Sequence, residues 1–334
     1  MKRSRVVLLA VAIVLIVLSW SQVLAAPRGL TVRHFTRNGI PMLYLAPAGA
    51  KDAPGVLVAH GFAGSKQLML AYGYTLAHAG YAVLLWDFGG HGANGAPLER
   101  ETTLQRNIDA AYAALLEQPE VDGQRLALVG HSMGSGAVMT AGILDPGRYA
   151  AVVAISPTGA QVTPETPRNL LLQAGSWEGN FVANARGLLA AAGGASDDLA
   201  GGQARRLIIV PNAEHISILF RGESHRATLD WLDGTFGRLS TGSYTDRRIF
   251  WYLAHLAGWL LLLIAISPAA GRGASQAPAV APGGLCGARD AAVLREHLCP
   301  ARASSRDARG YRRAGAASPR VPPGGDWWPA TCRD

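Results

Sequence analysis

No cysteine occurs before Cys286, and the three in the chain (Cys286, Cys299 and Cys332) all fall near its end. The long region before them can form no internal disulfide, which is compatible with export but does not require it. Cys286, His297 and Cys299 lack the spacing of a zinc site, so no metal is assigned. No internal repeat, nucleic-acid reading motif or signature of an organic cofactor is present. The formal net charge of +8 does not mark a nucleic-acid surface either, since residues 269–334 hold ten arginines, no lysine and five acids, or +5 of it. What is abundant is apolar: 49% of the 334 residues, enough for a sizeable core in one large or two small domains.

Two apolar runs stand out. Lys2, Arg3 and Arg5 precede an unbroken run over residues 6–18, and a further apolar stretch continues to residue 26. This pattern predicts a signal peptide or a retained signal anchor over residues 1–26. Small residues at Val23 and Ala25 suit cleavage after Ala25. The run is also about long enough to span a bilayer, which takes roughly 20 residues. Either outcome places the region after residue 26 on the non-cytoplasmic side, exported or membrane-anchored. Residues 249–266 form a second apolar segment, preceded by Arg247 and Arg248 and free of formal charge, and predict a transmembrane helix. An apolar helix packed on the preceding domain is the competing reading. Residues 269–334 are rich in Ala, Gly, Pro and Arg, without periodicity. They read as a disordered basic segment or as out-of-frame translation of a GC-rich gene.

Between these runs, residues 27–238 alternate strand and helix patterns. A hairpin is expected over 31–46, turning at Asn38-Gly39. Strands are expected at 56–59, 83–86, 125–129, 151–155, 169–173 and 207–210. Helices are expected at 66–79, 101–118, 133–144, 181–192 and 224–236. Continuous apolar strands alternating with helices predict an α/β fold, with a mostly parallel central sheet covered by helices on both faces. Only about a dozen residues, 157–168, separate two of the strands. That is room for a loop and not for a helical cap, so the site should be open.

The chemistry is signalled at Gly130-His131-Ser132-Met133-Gly134, between a strand pattern and a helix pattern. A serine between two glycines at such a turn is a nucleophile elbow: the chain turns so sharply that side chains at Gly130 and Gly134 would collide with neighbours. His60-Gly61-Phe62-Ala63-Gly64 comes after one earlier strand pattern, and Asp87-Phe88-Gly89-Gly90-His91-Gly92 after another. These three segments, in this order, resemble the α/β-hydrolase superfamily, in the lineage of small esterases and serine peptidases without a cap. The resemblance covers roughly residues 31–237.

A serine hydroxyl needs a base within hydrogen-bond reach, and the base needs an orienting carboxylate. The resemblance implies the order serine, acid, histidine. After Ser132, the acid is expected at Glu178, beyond the strand at 169–173, where Asp is the commoner residue. Asp197 and Asp198 are the rivals. The base is expected at His215, after the last strand, with His225 as its rival. His60 and His91 read as residues that order loops. The resemblance implies an oxyanion hole made by the backbone N–H groups of Phe62 and Met133. Losing one such donor typically costs about 3–4 kcal/mol of transition-state stabilisation.

The sequence therefore predicts a serine hydrolase working through an acyl-enzyme on a small ester or peptide substrate, in the first place a carboxylic ester. A serine peptidase of the same fold is the nearest alternative. A hydrolase-like domain that binds without catalysis is the other. No cofactor and no nucleic-acid partner is expected.

Overall fold

The structure, a computed structural model, describes residues 3–237 and 244–273. Eight strands form one sheet: β1 (Leu30–Arg37), β2 (Ile40–Pro47), β3 (Ala53–Ala59), β4 (Ala82–Trp86), β5 (Val121–His131), β6 (Ala151–Ile155), β7 (Leu170–Gly175) and β8 (Arg205–Val210). Their order is β1-β2-β4-β3-β5-β6-β7-β8. Only the β1–β2 and β2–β4 pairings are antiparallel; all others are parallel. The mostly parallel sheet expected from the sequence is present.

Every residue of β3, β4, β6 and β7 is buried, because helices cover both faces. The pleat sends successive side chains to opposite sides. Leu57, Leu84, Trp86, Leu128, Val152 and Leu172 enter one core, under α3 (Arg100–Leu116), α4 (Met133–Leu144) and α5 (Gly179–Ala191). Val56, Val58, Val83, Leu85, Val129, Val153 and Leu171 enter the other, under α2 (Leu70–His78) and α6 (Gly222–Phe236). In α3, Ile108, Ala111 and Leu115 recur at helical spacing and face the sheet, Asn107 is buried and accepts the Gly89 N–H, and Thr102, Arg106 and Asp109 face water.

Some boundaries differ from expectation for local reasons. The helix expected over 66–79 begins as a 3₁₀ turn, Lys66–Met69, because the Lys66 N–H and ammonium are both drawn to Asp87. Residues 157–168 form a loop with no helix, so β6 and β7 are joined without a cap.

The two apolar runs are helices α1 (Arg3–Ala25) and α7 (Arg248–Gly273). Both contain stretches long and apolar enough to cross a membrane. α7 continues past residue 266 to Gly273. The helices pack against each other in antiparallel fashion. Gly258 makes this possible: a Cβ there would lie 3.2 Å from the Ala12 carbonyl oxygen and from the Ile16 nitrogen. Trp20 stacks on His255 at 5.4 Å. Away from this seam Val7, Val14, Leu18, Leu253, Leu260 and Leu263 are exposed. The basic tail expected from residue 269 lies, from 274 onward, outside the described residues.

Candidate active site

The parallel strands all end at one edge of the sheet, and the singled-out residues come just after those ends. Ser132 sits between β5 and α4 with φ 53° and ψ −120°, a backbone conformation that a non-glycine residue holds only under constraint. The constraint comes from its neighbours. A Cβ on Gly134 would lie 2.5 Å from the His60 carbonyl oxygen, and one on Gly130 would overlap the Gly134 carbonyl. Nothing larger than hydrogen fits at either place, so β5, α4 and the turn after β3 meet at van der Waals contact around the serine. The Ser132 carbonyl is held by the Ser135 hydroxyl at 2.5 Å and by the Thr158 hydroxyl at 3.2 Å.

Ser132 Oγ lies 3.0 Å from His215 Nε2, and His215 Nδ1 lies 2.7 Å from Glu178 Oε1. A carboxylate only accepts, so Nδ1 carries the proton and donates it to Glu178. That leaves Nε2 as the acceptor for the serine hydroxyl. Glu178 is buried, and its second oxygen accepts from the Ser156 hydroxyl at 2.9 Å and the Gly175 N–H at 2.6 Å. Its negative charge is thus met by three donors in a place shielded from water. His215 remains partly open to solvent, its ring lying flat against Phe181 with centroids 4.4 Å apart.

The structure brings Ser132, His215 and Glu178 into one chain of hydrogen bonds. It does not bring the rivals there. Asp197 is exposed and pairs with Arg206, and Asp198 accepts from the Gly201 N–H. His225 is a buried residue of α6, bonded to the Leu219 carbonyl and packed edge-on to Tyr72.

The turn after β3 reaches the serine from the other side. A Cβ on Gly61 would meet Ser132 Cβ at 3.1 Å, so the turn passes directly beside the Ser132 side chain. Met133 supplies the first amide of α4, one of the four at a helix N-terminus that have no partner within the helix. The turn is fixed by His60, which is fully buried: it accepts the Phe88 N–H at Nε2 (3.0 Å), and Nδ1 donates to the Gly61 carbonyl (2.7 Å). Burial pushes His60 down to about 4, so it stays neutral and keeps this donor–acceptor pattern. His91 donates to the Gly89 carbonyl and packs against both His60 and Phe62. Burial alone would raise Asp87, but the Lys66 ammonium and the Lys66 and Ala93 N–H groups hold it below the ordinary carboxylate range. Asp87 thereby ties the turns after β3 and β4 together.

Three contributors were not singled out from the sequence as parts of the site. Ser156, at φ 45°, turns its hydroxyl to Glu178. Phe181 stacks on the histidine. His131, whose only sequence signal is its place inside the elbow, donates from Nε2 to the His215 carbonyl at 2.8 Å. Burial pushes His131 down to about 4, which keeps it neutral beside His215.

Comparison with known proteins agrees with this architecture. Residues 51–205 match the family model of the serine aminopeptidases, S33. Over 142 residues the chain is 36% identical to epoxide hydrolase A of Mycobacterium tuberculosis, a match covering 40% of this chain and 42% of that protein. The chain therefore spans less than half the length of that relative. It is 29% identical over 217 residues to an uncharacterized protein of the same organism, covering 59% of this chain and 75% of the relative. Among solved structures, a predicted CIB-like hydrolase from Thermoplasma acidophilum aligns with a TM-score of 0.50 at 18% identity, over 61% of this chain and 97% of that one. A hypothetical protein from Pseudomonas aeruginosa aligns with a TM-score of 0.51 at 15% identity, over 63% and 95%. These two likenesses concern the fold alone. With its sheet order, its turn geometry and these matches, the chain has the α/β-hydrolase fold.

Proposed function

We propose that the protein is a membrane-anchored serine hydrolase that cleaves carboxylic esters through an acyl-enzyme. The observation that carries this reading is the continuous hydrogen-bonded chain Ser132–His215–Glu178, with the turn that leads into Phe62 packed against the Ser132 side chain; the N–H groups of Phe62 and Met133 are assigned as the oxyanion donors. In the first step His215 Nε2 takes the serine proton as Oγ attacks the ester carbonyl. Glu178 steadies the resulting imidazolium, and the two N–H groups receive the negative oxygen. The imidazolium then returns its proton to the departing alcohol. Water, activated by the same nitrogen, releases the acid and restores Ser132.

The surroundings favour esters over peptides bearing a free amino terminus. Phe181, Trp177 and Ile216 adjoin the triad in space or sequence and are apolar. The nearest carboxylate in sequence to His215, Glu214, accepts from the Ile216 and Ser217 N–H groups at 3.0 and 2.5 Å. It is thus engaged in its own turn instead of offered to a substrate ammonium. Epoxide opening is chemically unsuited to this nucleophile. Attack by Ser132 Oγ on an epoxide carbon would leave an ether, which presents no carbonyl for water to attack, and turnover would stop.

α1 and α7 support anchoring, with the hydrolase on the non-cytoplasmic side: Lys2, Arg3 and Arg5 precede the apolar run of α1 and would stay inside. The test uses the full chain in detergent, with a fluorophosphonate probe and p-nitrophenyl butyrate. Labelling and hydrolysis that both vanish in Ser132→Ala support the reading. Cleavage of aminoacyl p-nitroanilides in preference to the ester would make the protein a peptidase. A folded protein inert to probe and substrates would make it a binding domain.

A further inference from the structure

The catalytic edge and the membrane helices leave the sheet in opposite directions. Ser132, Glu178 and His215 all come after the C-terminal ends of parallel strands. β1 runs the same way as the parallel strands, because it is antiparallel to β2, which runs against them. Its first residue, Leu30, pairs with Pro47 at the end of β2, and β2 pairs with β4 so that Leu45 lies opposite Val83 and Met42 opposite Trp86. Leu30 therefore stands at the edge where the parallel strands begin. Between it and α1 lies only a wound connection, with hydrogen bonds from Arg28 N to the Ala25 carbonyl and from Leu30 N to the Pro27 carbonyl.

The second helix arrives at the same edge. α2 starts beside the turn after β3 and runs back along the sheet, ending at His78 just before β4 begins. His78 donates to the Ala26 carbonyl at 2.8 Å, directly after α1. Tyr244, just ahead of α7, stacks on His78 at 4.0 Å, and Arg248, the first residue of α7, lies over the Tyr74 ring at 4.2 Å. α6 ends here as well, with Asp233 bonded to Tyr81. Two separate attachments, one from each apolar helix, thus grip the same end of α2. One tether would let the domain roll; two on one edge hold its axis.

From these placements we infer that the catalytic mouth opens away from the bilayer and that the enzyme acts on esters carried in water, not on lipids seated in the membrane that anchors it. The inference rests on the membrane-anchored serine hydrolase reading. β7 has six residues, and at roughly 3.3 Å per residue the sheet alone sets the mouth about 20 Å from the anchored edge. An acyl ester held at the headgroups of the same bilayer cannot reach Ser132 without leaving it. The exposed Trp177 and Ile216 gain a different meaning in this orientation. On a mouth facing the bilayer they would insert into it. On the far edge they form a landing place for an apolar acyl or aryl group of a dissolved substrate.

The experiment uses the full chain in phospholipid vesicles without detergent. A fluorescent fluorophosphonate places one dye on Ser132. A second preparation, with Cys286, Cys299 and Cys332 replaced by serine, carries an Arg28→Cys dye at the exposed turn after α1. A contact-range quencher is attached to the lipid headgroups. The expected result is unchanged emission from the Ser132 dye and loss of most emission from the Arg28→Cys dye. Quenching of both dyes overturns the orientation, and quenching of neither overturns the anchoring on which it rests. Should Ser132 not take the probe, the serine-hydrolase reading fails, and a Trp177→Cys dye in the cysteine-free chain still reads the orientation. In the same vesicles p-nitrophenyl butyrate should be hydrolysed with no fatty acid released from the bilayer. Release of fatty acid from intact vesicles overturns the substrate assignment.

Discussion

The two edges of the sheet are built from the same strands yet to different rules. At the edge where the parallel strands begin, the left-handed positions other than glycine are, among the described residues, Asp52 and Asn169, residue types that reach this region readily. At the opposite edge Asn38 and Asn212 are joined by Ala63, Ser132 and Ser156, residue types that do not reach it readily. The charges differ too. The starting edge holds the part-exposed pair Arg33–Glu120, in two parallel bonds of 2.8 and 2.6 Å. The catalytic edge holds the buried neutral histidines His60 and His131, the buried carboxylate Glu178 and the buried pair Lys66–Asp87. One edge is a joint, which also buries charge at Arg205 and in the pair Arg248–Asp246. The other holds strained turns and buried polar groups around the chain of hydrogen bonds from Ser132 through His215 to Glu178.

Breaking the comparison at its strongest point means removing the triad. Ser132→Ala and His215→Ala should each lower kcat by about 10⁵-fold or more, and Glu178→Gln by about 10⁴-fold, with far-UV circular dichroism unchanged. A silent Glu178→Gln beside an inactive Asp198→Asn would move the acid elsewhere.

Acid should expose the next difference. His60 and His131 lie near 4 in the folded chain and near 6.5 unfolded, so the unfolded state binds more protons between those values. Stability is therefore fully present above about pH 6.5 and is lost as pH falls toward 4, on the order of 3 kcal/mol for each histidine. Thermal melts across this range should fall steeply. The same melts on a His131→Asn variant should fall less, and an equal slope would remove His131 from the account.

Smaller effects sharpen the contrast. Ser156→Ala leaves Glu178 with the Gly175 N–H and His215 as donors, so kcat should fall by roughly tenfold with little change in KM, the loss of one hydrogen bond to a charged group. Arg33→Ala, at the starting edge, should cost about 1 kcal/mol or less in urea unfolding and leave kcat unchanged. An activity loss there as large as that of Ser156→Ala would erase the distinction between the edges.

How much of this was legible in the sequence varies from residue to residue. The elbow at Gly130-His131-Ser132-Met133-Gly134 was legible because its steric demand is local: glycines placed symmetrically about a serine announce a crowding that any neighbour would impose. The inner strands were legible because each centres on an apolar run short enough to exclude a helix, and β1 because it runs into the Asn38-Gly39 turn. Glu178 stood against Asp197 and Asp198 with only the resemblance to separate them, because which loop meets His215 depends on strand order, and strand order is a long-range property. Ser156 and Phe181 gave no signal at all. Nothing in their neighbours marks a serine that will turn left-handed to face a carboxylate, or a phenylalanine on whose ring an imidazole will lie. His131 was visible as a letter of the motif but mute as to its partner, the carbonyl of a residue 84 positions away.

By itself the sequence determined the alternation of elements, the strained turn at Ser132 and the two apolar helices, since each depends on the spacing of side chains within a dozen or so residues. Tertiary structure alone decided that β2 pairs with β4, that α1 and α7 lie together along Gly258, and that both leave from the edge opposite Ser132. These are matters of which surfaces meet. Packing settles them by the total apolar area buried and the hydrogen bonds satisfied across the whole chain, a sum to which no short stretch of sequence has access.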